Sequence, residues 1–193
     1  MTTIIFTKIS RVCLALFIFM LTVFTVNAQT ADRNNPSPLK FPTPKGIKNQ
    51  LFYLQRDPNT NTIIYELNVD AKGEVNRAEP LLVYWLRYDD NGEKKDLSYI
   101  QRKFAYGIQT KEIGKDQYEI RFVSHKKIPM YLMVSKEDQK FHVYVTVNNK
   151  KIELNKIFVR IEGGSFWLPN VKYVELSGIN TATDTPVIER IKV

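Results

Sequence analysis

The sequence predicts a mainly β protein: an antiparallel β-sandwich or partly closed β-barrel of about nine strands with one short docked α-helix at about residues 96–106. Three observations carry this expectation. Short apolar or alternating runs recur at hairpin spacing from Leu51 onward. Turn residues punctuate them. A single stretch, "DLSYIQRKFAYG" (Asp96 to Gly107), has helical periodicity, so strands do not alternate with helices and a parallel α/β sheet is disfavoured.

The elements follow in order. "LFYLQR" (51–56) and "TIIYELNV" (62–69) are joined by "DPNTN" and predict a hairpin. "LLVYWLRY" (81–88) is apolar on both faces, as a central strand covered on each side would be. "DDNG" (89–92) is a turn. "QYEIRFVS" (117–124) alternates Tyr118, Ile120 and Phe122 with Glu119 and Arg121. "MYLMVS" (130–135) and "FHVYVTV" (141–147) flank the turn "KEDQ", and Asn148-Asn149 tolerates the left-handed backbone of a tight turn. "IELNKIFVRI" (152–161) shifts its apolar phase near Asn155-Lys156, the mark of a β-bulge. "VKYVELSG" (171–178) and "VIERIKV" (187–193) complete the set.

The helical stretch carries its own signals. Asp96 suits an N-cap, Leu97, Ile100 and Phe104 share one face, and Gly107 stands where a helix terminates. Arg102 and Lys103 fall in the last turn, where the macrodipole favours cations. A helix of about ten residues is unstable alone, because isolated helices need about 12–15 to be marginal. It is therefore expected to dock through Leu97, Ile100 and Phe104, gaining about 1.5–3 kcal/mol for each side chain buried. Tyr99, Arg102 and Tyr106 form a second stripe, a candidate ligand-contact surface. The competing reading is tyrosine rings resting on neighbouring loops with their hydroxyls in water.

Residues 1–28 read as a secretory signal peptide: Lys8 and Arg11, an apolar core "VCLALFIFMLTVFTV" (12–26), and small residues at Val26-Asn27-Ala28 before Gln29. The alternative, an uncleaved anchor, needs about 20 apolar residues and the core is shorter. No transmembrane segment is expected in the mature chain, and export to the periplasm, cell envelope or medium follows. Residues 29–50, with Pro36, Pro38, Pro42 and Pro44, read as a flexible proline-rich linker, leaving 51–193 as a single β domain. Cys13 lies in the leader, so disulfide scaffolds, thiolate metal sites and a cysteine nucleophile are excluded from the mature chain. The net charge of +8 falls to +6 without Lys8 and Arg11. That balance suits an anionic, glycan or lipid envelope ligand, or serves solubility alone. Export argues against nucleic acid.

The 193-residue chain holds no G-x-S-x-G, H-E-x-x-H, phosphate-binding loop or dinucleotide fingerprint. His142 shares a strand face with Tyr144 and Thr146 and reads as an exposed cross-strand residue. His125, in "SHKK", sits at a strand end. "DPNTN" starts like a calcium loop but has Thr62 where glycine and Asn68 where glutamate are needed. No metal and no cofactor is implied. Glu66, Asp89, Asp90, Glu119, Glu162 and Glu175 supply carboxylates for a glycosidase-like pair, or are solvated strand-face acids. Trp167, in "EGGSFWLP", is a candidate for stacking on a sugar or for plugging a core edge.

Taken together, "LFYLQR", "VYWLRY", "LSYIQRKFAYG" and "VKYVELSG" resemble a family of secreted bacterial domains, mainly of Bacteroidetes type, known as domain of unknown function 4833. The resemblance spans residues 51–193 and implies an exported domain; it assigns no catalytic or binding residue. Two functions are therefore in play. One is a non-catalytic binding or envelope-associated module. The other is a carboxylate-dependent hydrolase acting on glycan or lipid. An outer-membrane barrel is disfavoured by the charges in "QYEIRFVS" and "VIERIKV".

Overall fold

In a computed structural model, residues 41–165 and 168–192 are described. The leader, the first part of the proline-rich segment and Trp167 lie outside them. The strands are β1 (Gln50–Arg56), β2 (Asn59–Leu67), β3 (Leu81–Arg87), β4 (Glu93–Asp96), β5 (Ile108–Gly114), β6 (Gln117–Phe122), β7 (Met130–Val134), β8 (Phe141–Val147), β9 (Lys150–Gly164), β10 (Pro169–Asn180) and β11 (Thr185–Ile191). Among the described residues, one α-helix, α1 (Tyr99–Phe104), lies between β4 and β5, and a short 3-10 turn covers Tyr88–Asp90. The sheet order is β4-β3-β2-β1-β9-β8-β7-β6-β5, with β10 on β9 and β11 on β10. The sheet is open and curls into a half-barrel, which realises the partly closed barrel of the two expected architectures.

Strand β9 organises the fold. Its first residues, Lys150 to Glu153, pair with β8, and Lys156 to Val159 pair in parallel with β1. Strand β10 runs along its other edge. Two antiparallel groups, β1–β4 and β5–β8, therefore leave one edge of β9 at different heights. The bulge expected near Asn155 makes this possible. Ser177 faces Lys156 and Gly178 faces Leu154, so Asn155 has no partner across the ladder. Ile152 and Leu154 are buried before the bulge and Ile157 after it. One extra residue thus flips the inward phase from even to odd positions. Gly178 belongs to the same feature: a Cβ there would stand 1.9 Å from the Glu153 carbonyl oxygen.

The interior is lined by alternate residues, including Phe52 and Leu54 of β1, Ile63 and Tyr65 of β2, Val83 and Trp85 of β3, and Leu132 of β7. Phe52 and Tyr65 stack at 4.3 Å, and Phe122 meets Tyr65 edge-on at 5.5 Å. On the outer face of β1, Gln55 donates to the Pro42 carbonyl and to Thr62 Oγ1. Phe41 packs edge-on against Phe158, and Pro44 is buried. Ordered packing therefore already includes Phe41, Pro42 and Pro44, ahead of β1.

Strands β4 and β5 are absent from the expected set. Both are sheet edges, and every residue of β4 is exposed. Edge strands are kept charged against unwanted pairing, so they lack the apolar alternation that reveals a strand. Strand β3 lies one place from an edge rather than at the centre of the sheet.

The helix departs from expectation in four ways. It has 6 residues, and its N-cap is Ser98, whose side chain accepts from the Gln101 amide in a capping box. Asp96 instead ends β4. Gly107 is required not for a left-handed turn but for close approach, since a Cβ would lie 1.9 Å from the Arg102 carbonyl oxygen. Finally, Leu97 is buried as expected, but Ile100 and Phe104 are 42% and 60% exposed. Periodicity correctly placed these residues on one face. That face meets an opening rather than packed side chains.

Candidate functional site

The opening is a pocket of about 440 Å³ between α1, the curled sheet and the β9–β10 ribbon, within the range of about 300–1,000 Å³ usual for small-molecule sites. Its wall is apolar: Leu54, Val145, Ile157, Val159, Val174 and Leu176 are typical. Ile100 and Phe104 form one side of the rim, with Ala105, Ser124 and His125 close by. The wall contains no Asp or Glu among the described residues.

Hydrogen bonds hold α1 over the pocket in place of core packing. Gln101 Oε1 accepts from Trp85 Nε1 at 3.3 Å and from the Ser98 amide at 3.0 Å. At the other end, Ser124 donates to the Ala105 carbonyl at 2.7 Å and Tyr65 to the Tyr106 carbonyl at 3.0 Å. The helix is thus pinned at both ends while its apolar face stays uncovered.

One cation enters this wall. Arg56 follows Phe52 and Leu54 on the inward phase of β1 and lines the pocket. Its guanidinium lies 5.7 Å from the centre of the Tyr106 ring, which packs edge-on against Trp85 at 5.4 Å. Its Nε is shielded from solvent and has no hydrogen-bond partner among the described residues, nor does a described carboxylate pair with it. A buried donor left unsatisfied costs about 1–3 kcal/mol. Burial pushes the Tyr106 phenol above its ordinary value, opposed by the Arg56 charge. Tyr106 therefore stays a neutral donor and aromatic wall at physiological pH.

The expected contact stripe does not assemble as one surface. Tyr106 lines the pocket. Tyr99 is 71% exposed, and its hydroxyl accepts from Lys103. Arg102 borders a separate hollow with Leu81 and Ile108, 3.7 Å from Glu79. Trp167 falls outside the described residues; its neighbour Pro169 lines the pocket, and Leu168 is 80% exposed.

The candidate carboxylates meet cations or hydroxyls away from the pocket. Glu66 accepts from Tyr84, Glu119 pairs with Arg121, Glu162 with Arg160 and Lys172, and Glu175 with Arg190. Asp89 and Asp90 both pair with Arg87, and the Arg87 hydrogen bond, helped by Asn61, lowers Asp89 to about 2. Of the calcium-like triplet, Asp57 is buried against Arg160 at 2.9 Å, while the Asn59 and Asn61 side chains accept backbone amides. His142 stands on the outer face between Asp138 and Glu153, away from the pocket that His125 borders.

Arg56 was missed in the sequence, although its signal was present. Strict alternation in "LFYLQR" places it on the face of Phe52 and Leu54, and a charge on a buried face is the informative exception. Glu189 repeats the pattern between Val187 and Ile191, but it is answered there by Asn148 and Lys150.

A family model described as a domain of unknown function, DUF4833, matches residues 52–190. The chain belongs to the DUF4833 family. The match bears out the resemblance carried by the four quoted phrases, and it runs from within β1 to within β11, taking in every pocket-lining residue except Ile191. Neither curated proteins nor solved structures give a match. Among the described residues, no helix is long and apolar enough to cross a membrane.

Proposed function

We propose that this DUF4833 domain is a non-catalytic binding module that holds an apolar small molecule in the pocket beneath α1, and that it works after export, in the periplasm or at the cell envelope. The observation that carries the binding role is the pocket itself: about 440 Å³ walled by aliphatic side chains and open to solvent beside an apolar rim. Filling it would remove that surface from water at about 25 cal/mol per Å². The leader-like residues 1–28 support export.

The hydrolase alternative lacks support at this site. Carboxylate-dependent glycoside hydrolysis needs two acids flanking the scissile bond, and the described wall has neither. Ser124, the rim hydroxyl, donates to the Ala105 carbonyl, which commits its proton to holding the helix.

The test is direct. Purified protein should release lipid-like material on solvent extraction and bind a fluorescent apolar probe at one site. Val145→Phe, which places a ring in the pocket, should abolish both. An unchanged Val145→Phe variant, or native protein that binds no apolar probe, refutes the reading.

A further inference from the structure

Resting on that reading, we propose that the ligand is an aliphatic chain ending in a small anionic head, with Arg56 holding the head and the aliphatic wall holding the tail. A simple apolar ligand would not need an arginine on the inward phase of β1. A neutral side chain at position 56 would leave the wall without a guanidinium, its other polar groups being Gln101, Tyr106, Ser124 and His125 near the helix and rim. Instead the pocket holds a guanidinium whose Nε is out of water and unpaired among the described residues. Its charge meets no carboxylate in the described wall.

Arginine suits a head with two or more oxygens, because its donors form a planar fork that carboxylates and phosphates match. Tyr106 limits the fork's freedom by lying against it at 5.7 Å, and Tyr106 is itself fixed through Trp85 and the Tyr65 hydrogen bond to its carbonyl. The cation is therefore presented in a set orientation rather than on a loose stem. The tail has its own surface: Leu54 lies two residues before Arg56 on the same face of β1, and Val145, Ile157 and Leu176 continue it. Ile100 and Phe104, exposed at the rim, would close on the chain and lose their contact with water.

The experiment compares hexadecanoate, hexadecyl phosphate and hexadecan-1-ol, three probes sharing one tail, by calorimetric titration of the full-length protein below their aggregation concentrations. Either anion should bind roughly tenfold or more tighter than the alcohol, the size expected for a charge-assisted contact in a dry pocket. The tighter of the two identifies the head as carboxylate or phosphate. Arg56→Gln, checked for a cooperative urea transition, should bring the anions down to the alcohol's affinity. Arg56→Lys should keep part of the preference. Equal binding of anion and alcohol by the native protein overturns the anionic head but leaves the apolar-pocket reading standing. A preference that survives in Arg56→Gln also overturns it. Failure of all three probes to bind removes both.

Discussion

Two parts of the interior are built from the same strands and the same kinds of residue, yet one is sealed and the other open. Strand β8 contributes Val143 to the sealed part and Val145 to the pocket wall. Strand β1 contributes Phe52 to the first, and Leu54 and Arg56 to the second. In the sealed part, Phe52 and Tyr65 stack ring on ring, and Phe122, at the border with the pocket, meets both edge-on. In the open part, the ribbon past the Asn155 bulge and the pinned helix stand apart. The side chains between them, Ile157, Val159 and Ile161, do not fill the gap. Apart from Arg56, residue chemistry does not separate the two parts. Their difference comes from backbone placement: the bulge, and a helix held by hydrogen bonds at its ends instead of by its face.

The largest expected effect comes from removing the feature that creates the difference. Deleting Asn155 should return β9 to a single phase and turn Ile157, Val159 and Ile161 outward. At up to about 1.5–3 kcal/mol for each, this approaches the whole stability of an ordinary domain, about 5–15 kcal/mol. The deletion variant should show no cooperative urea transition. A native-like transition would mean that the phase change is not essential to the fold.

The next comparison sets two valines on one strand against each other. Val143→Phe overpacks the sealed part and should cost about 1–3 kcal/mol in urea unfolding. Val145→Phe has the pocket to expand into and should cost clearly less, while eliminating probe binding. Equal destabilisation would contradict an open space at Val145. Smaller still is Phe104→Ala at the rim. With 60% of the residue exposed, its stability should change by no more than about 0.5 kcal/mol, while apolar probe affinity falls several-fold. Unchanged affinity would remove Phe104 from the site.

The smallest effect concerns Glu189, the inward charge that found partners. Lys150, with help from Asn148, holds its carboxyl below the ordinary value of 4.5. A lowered carboxyl contributes stability that is present above its unfolded value and disappears as pH falls through the folded one. Urea midpoints measured on acidification below about pH 4.5 should therefore drop more steeply for native protein than for Glu189→Gln. Parallel profiles would show the pair to be energetically silent.

Much of this was legible in the sequence, and the reasons differ from residue to residue. The strands with one buried face announced themselves by alternation, and the shift at Asn155-Lys156 announced the bulge. Strands β4 and β5 were silent because an exposed edge has no apolar face to display. Leu97, Ile100 and Phe104 share a face, as their spacing required, but spacing cannot say whether a face meets side chains or a cavity. The site was only partly visible for the same reason. Tyr106 was singled out for a stripe that the structure divides. Arg56, part of no motif and the last residue of β1, could be found only by asking which phase of its strand it occupied. A pocket is a gap between distant elements, and local patterns carry no record of it.

The branching at β9 also sets a timetable. Asp57 and Arg160, joined by an ion pair, are 103 positions apart, and β1 has no neighbour on its second side until β9 arrives. The early hairpins can form as the chain emerges, but they stay unjoined until β9 has followed them. Pairings so remote in sequence assemble slowly, so the cavity should be among the last parts of the molecule to exist.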